Sequence, residues 1–241
     1  MNTQVDHLVK KTWAKFTTLP PPDTRLMIAV SGIPGSGKTA LATMMTNRIN
    51  EIYASENTSS SFNNPIAAAL PMDGYHLTRA QLSAMPDPAH AFARRGAAFT
   101  FDGEKFLALV HDLRKPLTPD SRSIYAPSFD HAVKDPVDND IEIPASCRVI
   151  FFEGNYLSLD KVPWSTAAGL MDELWFVHVD FEVARERLVR RHVKAGIAKD
   201  KAEAEKRVAE NDLINGAEIL ENRLPVQEIV SSIYDPDWEK S

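Results

Sequence analysis

Cysteine is almost missing from this chain of 241 residues: Cys147 is the single one. No intramolecular disulfide can form, so a reducing compartment, the cytoplasm, is the expected location. Cys147 opens an apolar run, which predicts a buried and inert thiol. An excess of basic charge is missing too. Lys and Arg number 27 against 33 Asp and Glu, a formal net charge of −6. That balance argues against nucleic acid or an anionic membrane as the main partner. No apolar stretch approaches the roughly 20 residues of a membrane span. The N-terminus carries Asp6 early and has no long apolar core, which argues against a secretory signal. Lys10, Lys11 and Lys15 among Val5, Leu8, Val9, Trp13 and Phe16 leave a mitochondrial presequence conceivable. An amphipathic helix packed on the domain is the favoured reading. Internal repeats, low-complexity segments and an interdomain linker are also missing. One domain over 1–241 is therefore expected, with a lead-in over 1–22.

What is present is concentrated in one place. Gly32-Ile33-Pro34-Gly35-Ser36-Gly37-Lys38-Thr39 satisfies G-x-x-x-x-G-K-[ST] at every position. An apolar run, Leu26 to Val30, precedes it, and a helical pattern opening at Ala40 follows it. That strand–loop–helix context is what the motif requires. The glycines turn backbone N–H groups inward to form an anion nest, and the helix directs its positive end at the same point. Residues 32–40 are thus expected to bind a nucleoside triphosphate. Lys38 would reach its outer phosphates and Thr39 would hold Mg²⁺.

The remaining pattern alternates strands and helices, which predicts an α/β fold with a parallel sheet covered on both faces. Helices are expected over 4–17, from the P-loop to about Glu51, over 102–113 and 182–194, and from Asp200 to about Leu220. Strands are expected over 25–31, 67–72, 148–152, 173–179 and 227–233. Residues 116–146, rich in Pro, Asp and Ser, offer only short strand-like pieces.

Three features extend the triphosphate site. Asp73 closes the second strand, on the rim where open parallel sheets bind ligands. A carboxylate there accepts a proton from an attacking hydroxyl, helps hold Mg²⁺, or simply makes an Asp-Gly turn. Glu153 ends the most apolar strand, where a carboxylate without a partner is costly, so a metal role is favoured. Arg187, Arg190 and Arg191 share a helix that Gly196 breaks, which suggests a mobile lid over 190–212. Asn211, Asp212 and Asn215 on its return arm touch nucleotide or face water. Arg94 and Arg95 either pair with an anionic group on a substrate or close a helix end.

These residues occur in a telling order: the P-loop, Met72-Asp73-Gly74-Tyr75-His76, Arg94-Arg95-Gly96 with Thr100-Phe101-Asp102, Tyr125 with Asp130-His131, Phe151-Phe152-Glu153-Gly154, and Arg187-Leu188-Val189-Arg190-Arg191. From about residue 24 onward the chain resembles the phosphoribulokinase/uridine kinase family, which includes bacterial-type pantothenate kinase and the fructose-transport-system kinases. The resemblance implies a P-loop, nucleoside-monophosphate-kinase-like fold with a helical lid. It also implies ATP-dependent phosphorylation of a hydroxyl on a small molecule. By that resemblance Asp73 is the catalytic base, and Thr39, Asp73 and Glu153 surround Mg²⁺. Lys38, Arg187 and Arg191 act on the phosphates. Tyr75, His76, Arg95, Tyr125, Asp130 and His131 face the acceptor. Uridine kinases carry Asp-Ser-Phe-Tyr where this chain has Asp73-Gly74-Tyr75-His76, a departure toward pantothenate kinase.

Two other classes compete. A nucleotide-dependent ATPase or switch would hydrolyse without an acceptor, although the Asn-Lys-x-Asp signature of guanine binding is missing. A scaffold that retained a nucleotide site would not need Lys38, Thr39, Asp73 and Glu153 together. The identity of the acceptor and the oligomeric state are not legible.

Overall fold

The structure, a computed structural model, describes residues 2–19, 23–57 and 64–232. Pro20-Pro21-Pro22 and Ile233, expected to end a helix and a strand, lie outside those residues. Among the described residues, five parallel strands form the central sheet in the order β2-β5-β1-β6-β7. They are β1 (Leu26–Gly32), β2 (Ala67–Pro71), β5 (Val149–Gly154), β6 (Glu173–His178) and β7 (Glu228–Ser231). β1 and β5 lie inside the sheet and are buried along their whole length. Their continuous apolar runs are the pattern of strands covered on both faces.

Alternate residues of each strand feed two cores. On one face Leu26, Ile28, Val30, Phe151 and Trp175 pack against α1 (Asn2–Thr18) and α2 (Lys38–Glu56). α1 contributes Val5, Leu8 and Val9, and α2 contributes Leu41, Met45 and Ile49. Lys11 and Lys15 also reach Glu173 at the start of β6, at 2.8 and 3.1 Å. α1 is thus a packed amphipathic helix, as expected. On the other face Met27, Ala29, Ile150, Phe152 and Phe176 meet α5 (Gly103–Arg114) and the Trp164 ring of α6 (Trp164–Ala168). Asp102 caps α5 by accepting a bond from Lys105 N at 2.9 Å.

Three expectations are amended. The stretch 116–146 holds a real hairpin: β3 (Ile124–Asp130) pairs antiparallel with β4 (Asp135–Ile143), apart from the main sheet. Strand β2 ends at Pro71, and Met72–Tyr75 form a 3₁₀ turn. The expected helix from Asp200 is three pieces: α8 (Lys201–Arg207), a π-helical turn Val208–Asp212, and α9 (Leu213–Glu221). Two short helices, α3 (Arg79–Ser83) and α4 (Pro88–Ala93), follow the 3₁₀ turn, and α7 (Phe181–Lys194) precedes α8. Among the described residues no helix is long and apolar enough to cross a membrane.

Candidate active site

The strand ends converge on one rim. In register, Glu153 lies beside Val30 on one side and Pro71 on the other, while Gly32 lies beside Val177. The loop after Gly32 turns through Gly35 and Gly37, with φ of +79° and +90°. Those are left-handed conformations that glycine adopts without strain. Gly37 precedes α2, and no side chain caps that helix, so its first N–H groups are free to meet an anion. Ser36 Oγ is buried in the loop without a hydrogen-bond partner. An uncapped helix start and an orphaned hydroxyl suit a phosphate cradle.

Lys38, Thr39, Asp73, Glu153 and Arg191 come together at this rim. Thr39 Oγ1 donates to Glu153 Oε2 at 3.1 Å. Glu153 is 7% exposed. Burial pushes its carboxyl up to about 7, and the nearby Asp73 adds to this, against the opposing pull of Lys38, the Thr39 hydroxyl and Arg191. Burial pulls the Lys38 ammonium down; Glu153, Asp73 and Asp212 oppose that, and Arg191 adds to it. The donors that cluster here are oxygens: one hydroxyl and two carboxylates. That is the set Mg²⁺ takes when phosphates and waters complete its shell. Among the described residues no group of three or more His, Cys, Asp and Glu forms a closed metal cage, and a phosphate-bound Mg²⁺ does not require one.

The hairpin packs on the 3₁₀ turn that carries Asp73. A Cβ at Gly74 would sit 2.1 Å from Pro127 O, so the 3₁₀ turn and β3 touch backbone to backbone. His76 Nδ1 lies 2.8 Å from Asp73 O, and its ring packs on Phe101 and Phe129 with centroids 4.0 and 4.8 Å apart. Burial holds His76 below its ordinary value.

Other expected acceptor contacts are engaged elsewhere. Tyr75 is buried edge-on against Phe106, in the core. Asp130 accepts from Ala132 N and Val133 N at 2.7 and 3.0 Å and shapes the hairpin turn. Arg95 donates to Lys134 O, Leu77 O and Asp135 and lies over the Phe129 ring, bracing the hairpin. Tyr125 and His131 are exposed on the hairpin.

Beyond the rim, α7 packs on the P-loop. A Cβ at Gly35 would lie 2.9 Å from Ala184 O. Arg187 donates to Gly35 O at 3.2 Å and to Ser232 Oγ at 2.9 Å. It therefore braces the loop from its flank, while Arg191, one turn on, faces the Lys38–Glu153 cluster. Gly196 takes φ +64° where the chain reverses. His192 Nε2 and Asp212 Oδ2, 2.8 Å apart, join the end of α7 to the π-helical turn. A cavity of about 610 Å³ opens between α4 and α8, bordered by Ala93, Arg207 and Asn211. No P-loop residue lines it.

The sequence matches no family model. It is 62% identical over 159 residues to the ATP-dependent kinase-like protein notR' of Aspergillus versicolor, covering 66% of this chain and 92% of that protein. A Schizosaccharomyces pombe protein provisionally named uridine kinase C227.14 is 41% identical over 191 residues, with 79% and 76% covered. The chain belongs to the phosphoribulokinase/uridine kinase family of P-loop kinases. A solved structure agrees: a Silicibacter sp. TM1040 protein provisionally described as a fructose transport system kinase superposes with a TM-score of 0.78. It is 29% identical, with 93% of this chain and 98% of that one covered.

As a member of this family the protein is an ATP-using kinase of small molecules. Sequence reasoning gave no fixed role to Arg94, Asn211 and Asn215, which the structure joins. Arg94 Nε donates to Asn211 Oδ1 at 3.0 Å and Nη2 to Asn215 Oδ1 at 2.6 Å. The available signal was the spacing of four between Asn211 and Asn215, which puts two amides on one helix face.

Proposed function

We propose that this kinase transfers the γ-phosphoryl group of Mg-ATP to a hydroxyl of a small metabolite, with Asp73 as the base. The observation that carries this reading is the convergence of Asp73, Glu153 and Thr39 on Lys38 at the C-terminal rim of the sheet. Lys38 and backbone N–H groups of the loop from Gly35 to Ala40 bind the triphosphate. Thr39, Glu153 and Asp73 would hold Mg²⁺, which would supply positive charge to offset that of the phosphates. The acceptor oxygen forms a bond to the γ-phosphorus as the bond to the ADP oxygen breaks. Asp73 takes the hydroxyl proton and releases it to solvent. Arg191 stabilises charge on the moving group, and Arg187 keeps the loop in place. One kinase domain with residues 190–212 as its lid is part of this reading, as is His76 orienting Asp73 through its backbone.

The test is a metabolite panel with Mg-ATP and mass detection of a phosphorylated product, run beside Asp73→Asn. The variant is expected to lose transfer by about 10²-fold or more while binding of ATP without Mg²⁺, read by calorimetry, stays nearly intact. Retained turnover on the true acceptor would remove the base assignment.

A further inference from the structure

Arg94 and Arg95 are neighbours in sequence with opposite electrostatic circumstances. Arg95 has a carboxylate of its own, Asp135 at 3.3 Å. Arg94 is half-buried and, among the described residues, donates only to two neutral amide oxygens, those of Asn211 and Asn215. Nearby carboxylates are committed elsewhere: Asp212 to His192 at 2.8 Å and Glu218 to Lys161 at 2.6 Å. Neutral acceptors orient a guanidinium without cancelling its charge, and they leave its remaining N–H groups for a ligand.

The position suits an acceptor. Arg94 and Asp212 both act on the Tyr156 hydroxyl, and Asp212 also acts on Lys38. Contacts also link Arg94 to the phosphate site: Asn211, which holds Arg94, is followed by Asp212, which meets His192 beside Arg191 at the end of α7. Tyr156 donates to Gly96 O at 2.7 Å and holds the loop that carries Arg94. Gly96 has φ +106°, and a Cβ there would meet nothing nearer than 3.9 Å.

We propose that Arg94 recognises the phosphoryl acceptor and that the acceptor carries one carboxylate, making it a small hydroxy acid. A single guanidinium matches a monoanion in bidentate fashion. A phosphate dianion calls for a second cation, and the adjacent Arg95 is already neutralised. This rests on the kinase reading above and names its substrate class.

The first test is a panel of small hydroxy acids, their carboxamides, neutral sugars and nucleosides, and sugar phosphates, each with Mg-ATP. Hydroxy acids are the expected acceptors, and the carboxamide of the best one should show a KM about tenfold higher or more. A neutral or phosphorylated compound as best acceptor overturns the inference and leaves the kinase reading standing. ATP hydrolysis with no acceptor phosphorylated in any class overturns both.

The second test separates recognition from a structural clamp. Arg94→Gln should raise the acceptor KM about tenfold or more while ATP affinity changes less than about twofold. Asn215→Asp keeps an oxygen on Arg94 and supplies the missing counter-charge. It should raise the acceptor KM similarly without lowering the thermal midpoint. If Arg94 only clamps the lid arm, Asn215→Asp leaves the acceptor KM unchanged, and that result overturns the inference.

Discussion

Thr39 Oγ1 donates to Glu153 Oε2 across 3.1 Å, joining the first turn of α2 to the end of β5. The two residues are 114 positions apart in sequence. Their contact places a P-loop hydroxyl and a buried carboxylate at one point, beside Lys38.

The state of that carboxylate gives the ligand-free protein a pH-dependent stability. Glu153 titrates at about 7 when folded, against an ordinary 4.5. A carboxyl raised in the folded state binds more protons there than in the unfolded chain. Its stability contribution is therefore full below 4.5 and is lost as pH rises toward 7. The loss is on the order of 1–3 kcal/mol. Glu153→Gln should flatten this slope in ligand-free melts between about pH 4.5 and about pH 7. An unchanged slope in the variant would refute the assignment.

Lys38→Met should weaken Mg-ATP binding by about 100-fold, because the ammonium is the cation buried beside Glu153 and Asp73. Isothermal calorimetry reads this directly. Affinity within a few fold of the parent would mean that Lys38 points away from the phosphates.

Gly74→Ala should dislodge the hairpin. The new methyl would lie 2.1 Å from Pro127 O, and neither backbone can yield cheaply. A loss of about 2–3 kcal/mol in denaturant unfolding is expected. Gly169→Ala, where the nearest atom to a Cβ is 3.4 Å away, serves as the tolerant control.

Cys147 is buried, and burial pushes its thiol up to about 12 from 9.0, with Arg25 opposing. The thiolate fraction of the native protein is negligible near neutrality, so alkylation by iodoacetamide at about pH 8 should be slow until the chain unfolds. Rapid native labelling, followed by mass spectrometry, would contradict this burial.

The P-loop was legible because its function is local. Three glycines, Lys38 and Thr39 are contiguous, and the strand and helix that hold them flank them directly. The strands β1 and β5 were legible from their unbroken apolar runs. The hairpin over 124–143 was read only as fragments. Its pairing is between strands that lie outside the main sheet, and polar residues such as Asp138 and Asn139 mask the alternation. The π-helical turn had no local signature. It lies where Asn211 faces Arg94 and the next residue, Asp212, faces His192, a demand set by two different parts of the chain.

The sequence by itself determined the triphosphate cradle, the sheet's buried strands and the two carboxylates at strand ends, because each depends on neighbours a few residues away. Only the tertiary structure decided what the paired arginines do. Adjacent side chains diverge, so Arg95 met Asp135 of the hairpin and was neutralised, whereas Arg94 met the uncharged amides of Asn211 and Asn215. Charge compensation depends on what folds against a residue, and chain order does not contain it.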